Sequence, residues 1–202
     1  MRTKVTFFSF YMALLSAAIL LTIYLAWAAF PLGISWKDIP FPKATVLKNY
    51  NVLLDYLTSP FTTYLDMPDF ATSPSGRHHF VAVKYLFHLA QAVFLVSWIG
   101  AWDFWRQVVR KGYGSLFRKP VIWFMALPLI IAVLVAMIGF DRFFVLFHQI
   151  LFVGDSTWLF DPAKDPVILI LPEDFFMRCF VLFFFLYEGL LMAAYVLLGK
   201  EK

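Results

Sequence analysis

Charged and apolar positions in this chain fall into long blocks. Residues 5–36 carry no formal charge, and neither do residues 85–102 or 120–140; residues 175–199 carry only Arg178 near one end and Glu188 inside. A helix needs about 20 predominantly apolar residues to cross about 30 Å of hydrocarbon. The blocks therefore predict four membrane helices, at about 7–30, 80–102, 120–140 and 175–198. The second block is short, but Ala82 and Val83 extend it past Lys84, whose long side chain can snorkel. Pro128 is tolerable inside a membrane helix, as a kink. The first block follows Arg2 and Lys4 and runs to Ala26-Trp27-Ala28, in the manner of a signal peptide. Its apolar core of about 20 residues is longer than the usual stretch of about 7–15, so it reads as a retained anchor.

The polar stretches between these blocks form two longer segments and one short basic loop. Residues 31–79 are punctuated by prolines and hold one helix candidate, "KNYNVLLDYL", with Val52, Leu53, Tyr56 and Leu57 as its apolar positions. The second membrane helix is expected to start after Ser75-Gly76. In residues 141–174, "DRFFVLFHQILF" reads as a helix ended by Gly154-Asp155-Ser156. "VILIL", bounded by Pro166 and Pro172, reads as a short strand or an extended piece. These segments are too small for a separate soluble domain. The expected fold is an all-α integral membrane protein: a four-helix bundle in a single membrane domain, 1–202, with a small cap from 31–79 and 141–174.

Composition agrees. The chain is 62% hydrophobic and 15% charged, where soluble domains average about 45–50% and about 25%. Charge then sets orientation. Loop 103–119 holds Arg106, Arg110, Lys111, Arg118 and Lys119 against Asp103 alone, and Arg2, Lys4, Lys200 and Lys202 lie at the termini. The positive-inside rule places this loop and both termini in the cytoplasm, with the cap outside. The two cap segments carry ten acids against eight bases, counting Lys84 and Arg178, which excludes a basic nucleic-acid footprint there. Cys179 is the sole cysteine, so neither an internal disulfide nor a cysteine metal cluster is available.

Candidate chemistry rests on four histidines, all expected in the cap or the outer half of a helix. His78 and His79 fall at the start of the second membrane helix, where free N–H groups disfavour a charged imidazole. His88 shares a helix face with Lys84 and Gln91 and reads as a packing residue. His148 lies in "FFVLFHQILF", where burial favours the neutral ring. Taken alone, the residues leave both His79 and His148 open as packing groups or as bases. No metal-binding spacing, phosphate loop, nucleophile elbow or cofactor motif occurs, so no cofactor and no metal are expected.

Two stretches carry a resemblance: "PDFATSPSGRHHFVAVKYLF" and "FHQILFVGDSTWLFDPAKDPVILILPEDFF", with "NYNVLLDYL" as a weaker third. Over nearly its whole length the chain resembles the bacterial lipoprotein intramolecular transacylase family, Lit, of Gram-positive integral membrane proteins. The resemblance implies His79 and His148 as the catalytic pair, with Lys84, Phe147, Trp158 and Asp165 around the substrate and Pro162 and Pro172 in the surrounding pattern. Ala82 departs from it, since many members are acidic there. The implied reaction moves the sn-2 acyl chain of a diacylglyceryl-cysteine lipoprotein to the cysteine α-amine. The implied partners are diacylglyceryl-modified lipoproteins and membrane lipid, at a site facing out of the bacterial cell membrane. Two rivals remain at this point: another lipid acyltransferase, and a non-catalytic membrane sensor or scaffold whose histidines pack.

Overall fold

Every regular element among the described residues is a helix, and the apolar blocks supply the long ones. The computed structural model describes residues 2–33, 36, 37 and 39–199; Lys200 and Lys202, part of the expected charge bias, lie outside these. The elements are α1 (Arg2–Gly33), α2 (Lys43–Thr58), α3 (Pro74–Phe104), α4 (Arg118–Ile138), α5 (Phe140–Leu151) and α6 (Glu173–Leu198). A π turn, Trp105–Val109, follows α3, and 3-10 turns occupy Gly114–Phe117 and Pro166–Leu169. Four stretches are long and apolar enough to cross a membrane: Arg2–Leu32, Pro74–Val109, Gly114–Ile138 and Glu173–Leu198. Polar side chains in α1 are made compatible with lipid by bonding back to their own helix. Ser9, Ser16 and Thr22 donate to the carbonyls of Val5, Met12 and Ala18 at 3.1, 2.6 and 2.8 Å, which leaves no hydroxyl proton unpaired in hydrocarbon.

The chain divides into two compact units. The first comprises the residues up to Tyr24, Ala90–Gly139 and those from Phe180 on. Its core gathers Ala18, Phe104, Val108, Val121, Tyr187, Leu191 and Leu198. The Tyr187 hydroxyl donates to the Phe124 carbonyl at 3.1 Å and lies 3.0 Å from the Tyr11 hydroxyl, so the buried Tyr187 phenol is paired with the half-buried one of Tyr11. At Gly100 a Cβ would meet Ser9 Cβ and Oγ, so glycine is what lets α1 and α3 approach here. Outward, Leu95, Val96, Ile99, Trp123, Val133 and Met137 are exposed, as faces that meet acyl chains must be.

The second unit, Leu25–Leu89 with Phe140–Cys179, holds all the candidate chemistry. α2 begins at Lys43, directly after Pro42, and is longer than the run expected from sequence. Its buried stripe of Val46, Asn49, Tyr50, Leu53, Leu54, Tyr56 and Leu57 repeats at helical spacing. Asn49, fully buried, donates to Asp69 Oδ2 at 2.9 Å and accepts from the Asp69 amide at 3.1 Å. Lys48 Nζ lies 3.1 Å from the same carboxylate. These contacts fasten the proline-rich loop to α2. The stretch 167–171, expected as a strand or an extended piece, instead enters a 3-10 turn at Pro166–Leu169. Val167 and Ile170, both with no exposed area, are three residues apart, and a 3-10 turn puts i and i+3 on one side. Pro166 at its first position suits that turn, and no neighbouring strand exists among the described residues to pair with it.

Candidate active site

The start of α3 sets the position of the histidines. Ser73 caps it: its Oγ accepts from the Gly76 amide at 3.0 Å, and Pro74 occupies the first helical position, where a missing N–H costs nothing. The helix therefore starts earlier than expected from sequence, and His78 and His79 lie in its second turn. Asp165 locks this cap. Its Oδ1 accepts from the Ser73 amide and its Oδ2 from the Ser73 hydroxyl, both at 2.7 Å, and it is 2% exposed. Gly76 fits tightly beside it. A Cβ there would collide with Asp165 Oδ1 and lie 2.9 Å from Phe160 Cε1.

From this start α3 carries His79 inward. His79 is 5% exposed, and Phe152 and Phe160 meet it edge-on at centroid distances of 4.9 and 5.5 Å. The His148 ring, from α5, lies 6.0 Å away, and Phe152 lies 5.8 Å from His148 as well. Trp158 stacks on His148 at 4.7 Å and 29°. Phe144 and Phe147 stand 4.3 and 5.7 Å from the same imidazole. The structure thus brings together His79, His148, Trp158 and Phe147.

The two imidazoles are held differently. His148 Nδ1 is 2.8 Å from the Phe144 carbonyl oxygen. A carbonyl only accepts, so Nδ1 carries the proton, and Nε2 of the neutral ring keeps its lone pair. Burial holds the His148 imidazole below the ordinary histidine value, and the hydrogen bond to Phe144 offsets this only in part. His79 Nδ1 is buried with no hydrogen-bond partner among the described residues. Buried polar atoms are normally paired, so this nitrogen stands out as an unsatisfied group beside His148.

Lys84 is engaged away from the pair. Its ammonium donates to the Thr62 carbonyl and sits 4.3 Å over the Tyr56 ring. Asp165 is committed to the helix cap. His88 makes no ring contact with either histidine among the described residues, and its buried Nε2 lacks a partner there too. One contributor is absent from the sequence expectations. Asp155, given only a turn role from sequence, accepts from the Thr157 amide at 2.7 Å through Oδ1 and from Trp158 Nε1 at 3.1 Å through its carbonyl. Its Oδ2 lies 3.4 Å from His78 Nε2. Asp155 thereby fixes the indole that stacks on His148. The signal for it is Asp-x-Thr after glycine, an Asx turn, which does not by itself name the third partner.

Comparison with protein-family models matches residues 4–176 to the family described as lipoprotein intramolecular transacylase Lit. Among solved structures, the chain is 31% identical to the membrane-integral lipoprotein intramolecular transacylase Lit from Bacillus cereus. That match covers 97% of this chain and 92% of the other, with a TM-score of 0.81. A histidine-to-arginine variant of the same Bacillus cereus protein matches at 28% identity, over 98% of this chain and 88% of that one, with a TM-score of 0.79. A histidine-to-alanine variant gives 28%, 98%, 90% and 0.79. No curated protein gives a significant match. With an aromatic-walled histidine pair, four helices fit to span a bilayer and a family match over most of its length, this chain belongs to the Lit family of membrane-integral lipoprotein intramolecular transacylases.

Proposed function

We propose that the chain moves the sn-2 acyl group of a diacylglyceryl-cysteine lipoprotein to the α-amine of the same cysteine, with His148 as base and His79 as its partner. The observation that carries this reading is the pair itself. Two imidazoles 6.0 Å apart, one presenting a free Nε2 and the other a buried unpartnered nitrogen, share an enclosure of aromatic rings. The amine attacks the ester carbonyl carbon. A C–N bond forms, the ester C–O bond breaks, one proton leaves nitrogen and one reaches the glyceryl oxygen. The cysteine α-amine has an ordinary pKa of about 7.7–8.0, so near neutrality a base helps keep it nucleophilic. His148 Nε2 takes the proton, and His79 supplies a polar contact to the developing oxyanion or the leaving oxygen. Walls of phenylalanine and tryptophan receive the acyl chain and keep out water that would hydrolyse the ester. Trp158 and Phe147 orient the His148 ring, while Lys84 and Asp165 support the surroundings through Thr62 and Ser73.

The same reading places the site on the outer side of the cell membrane, with loop 103–119 and both termini in the cytoplasm and segments 31–79 and 141–174 as the cap of a single membrane domain. The arrangement of lysine and arginine supports it.

A crossover experiment tests the reaction. Purified protein in vesicles receives two diacylglyceryl-cysteinyl peptides at once, one bearing deuterated acyl chains and a heavier peptide. Internal transfer leaves each mass unchanged and moves one acyl group from oxygen to nitrogen, as fragmentation shows. Mixed-label amides would mean transfer between molecules. Loss of an acyl group with no amide would mean a lipase. No change in either substrate would leave the scaffold reading.

A further inference from the structure

A shallow open cleft of about 480 Å³ is lined by Thr72, Pro74, Arg77, His78 and Val81. It does not include the histidine pair, but two of its lining residues, Arg77 and His78, directly precede His79 on α3. We propose that this cleft receives the polypeptide that follows the acylated cysteine, with Arg77 donating to its main-chain carbonyl oxygens. The proposal rests on the transacylase reading and concerns the half of the substrate that reading leaves unplaced.

The substrate has a lipid half and a peptide half, joined at the cysteine. Aromatic walls suit the first. The second carries an N–H and a C=O on each residue, and these need partners wherever water is excluded. The reacting nitrogen is the first atom of the peptide, so the chain must leave the pair directly. At about 3.3–3.6 Å per extended residue, it meets new surroundings within one or two residues. Successive helix positions turn by about 100°. The helix that directs His79 inward therefore presents His78, its exposed neighbour, to another side. A substrate head held at His79 has this cleft, with the Arg77 guanidinium in its lining, on the same helix turn.

Arg77 is equipped for carbonyl groups. It is half-buried, and its guanidinium lies 4.3 Å over the Tyr64 ring. Stacking fixes the plane and uses none of the five in-plane N–H donors. No carboxylate forms an ion pair with it among the described residues. The other lining base, His78, lies 3.4 Å from the Asp155 carboxylate. A phosphate would face that carboxylate with Arg77 as the lining's one unpaired cation among the described residues. Neutral carbonyl oxygens need only donors, so the cleft favours peptide over a lipid headgroup.

The test uses the full-length protein in phosphatidylcholine vesicles and two substrates: S-diacylglyceryl-cysteine extended by five residues, and S-diacylglyceryl-cysteine methylamide, which has no peptide beyond the cysteine. Arg77→Ala is expected to raise KM for the extended substrate about tenfold, the size of one charge-assisted hydrogen bond, with kcat within twofold. The methylamide should react unchanged, and Arg77→Lys should recover part of the loss. A KM that rises equally for both substrates, or for neither, overturns the proposal. So does a headgroup effect, in which phosphatidylglycerol alters the parent but not Arg77→Ala while peptide length has no influence. Binding of a fluorescent five-residue lipopeptide, read without turnover, separates the two readings. Weaker binding to Arg77→Ala upholds the cleft even if the parent moves no acyl group, and equal binding rejects it even if the parent does.

Discussion

At the scale of the residue, what distinguishes His148 is which nitrogen is free. The Phe144 carbonyl takes Nδ1–H, so Nε2 alone can accept a proton, and burial holds its affinity for that proton below the ordinary histidine value. His148→Gln keeps a side chain able to bond to Phe144 but removes the base. The amide shift in vesicles is expected to slow about 10²–10⁴-fold, the usual loss for a general base. His88→Ala, at a position outside the pair, should retain most of the parent rate. A glutamine variant as fast as the parent would return His148 to a packing role. The pH dependence follows in sign. A base with a lowered pKa stays unprotonated to lower pH, so its acid limb falls below the ordinary imidazole value of about 6.5. Stability runs the same way. The unfolded state binds the His148 proton at higher pH than the folded state, so the stability due to the neutral ring is present above about 6.5 and is lost as pH falls towards the folded value. Histidine-selective nitrogen NMR across this range should show one ring titrating below 6.5 that is missing from His148→Gln.

At the scale of the element, the site depends on where α3 starts. Ser73, Pro74, Gly76 and Asp165 settle that start. Asp165→Ala removes both acceptors and leaves the half-buried Ser73 amide unpaired, which costs about 1–3 kcal/mol. Asp165→Asn keeps an acceptor and should cost less. Thermal melting should rank parent, asparagine, alanine in falling order, and activity should follow the same order, because a helix start displaced by about 1 Å costs up to about 10²-fold. Melting temperatures that do not change would mean the cap holds without Asp165.

The same element shows what sequence can and cannot say. Ser-Pro is a legible cap signal, and it was the later Ser75-Gly76 that suggested too late a start. Asp165 matched a family pattern, but its two bonds to Ser73 link positions 92 apart in the chain and have no local trace. The stripe of α2 was legible because a continuous apolar face needs no distant partner. "VILIL" was ambiguous because a short β-branched run suits either a strand or a tight turn, and only the burial of Val167 and Ile170 together decides. His79 and His148 were legible as chemistry only through the family pattern; their 6.0 Å separation joins positions 69 apart in the chain.

At the scale of the whole molecule, the question is which way the bundle faces. Four spans would return the chain to its starting side, and contacts within the first unit fit that topology. Arg2 pairs with Asp103 at 3.2 Å, which joins the start of α1 to the far end of α3. At Gly114 a Cβ would lie 2.7 Å from the Leu198 carbonyl oxygen, and the Arg118 guanidinium lies 3.9 Å over the Tyr195 ring, which joins loop 103–119 to the end of α6. The start of α1, the basic loop and the end of α6 therefore share one end of this unit. Arg106, Arg110, Lys111, Arg118 and Lys119 lie in or beside that loop, and lysine and arginine in short loops set orientation far more than acids do. A phosphatase fused at Tyr113 should be inactive and a fluorescent protein fused there should glow, since the first needs the outside and the second the cytoplasm. Fusions at Ala71, in the segment leading to His79, should give the opposite pair. Replacing Arg106, Arg110 and Lys111 together with glutamine should blur the contrast at both sites. Fusions at Tyr113 and Ala71 reporting the same side would break the four-span topology. A contrast in the reverse sense would put the histidine pair in the cytoplasm, away from lipoproteins on the outer face, and the proposed substrate would fall with the orientation.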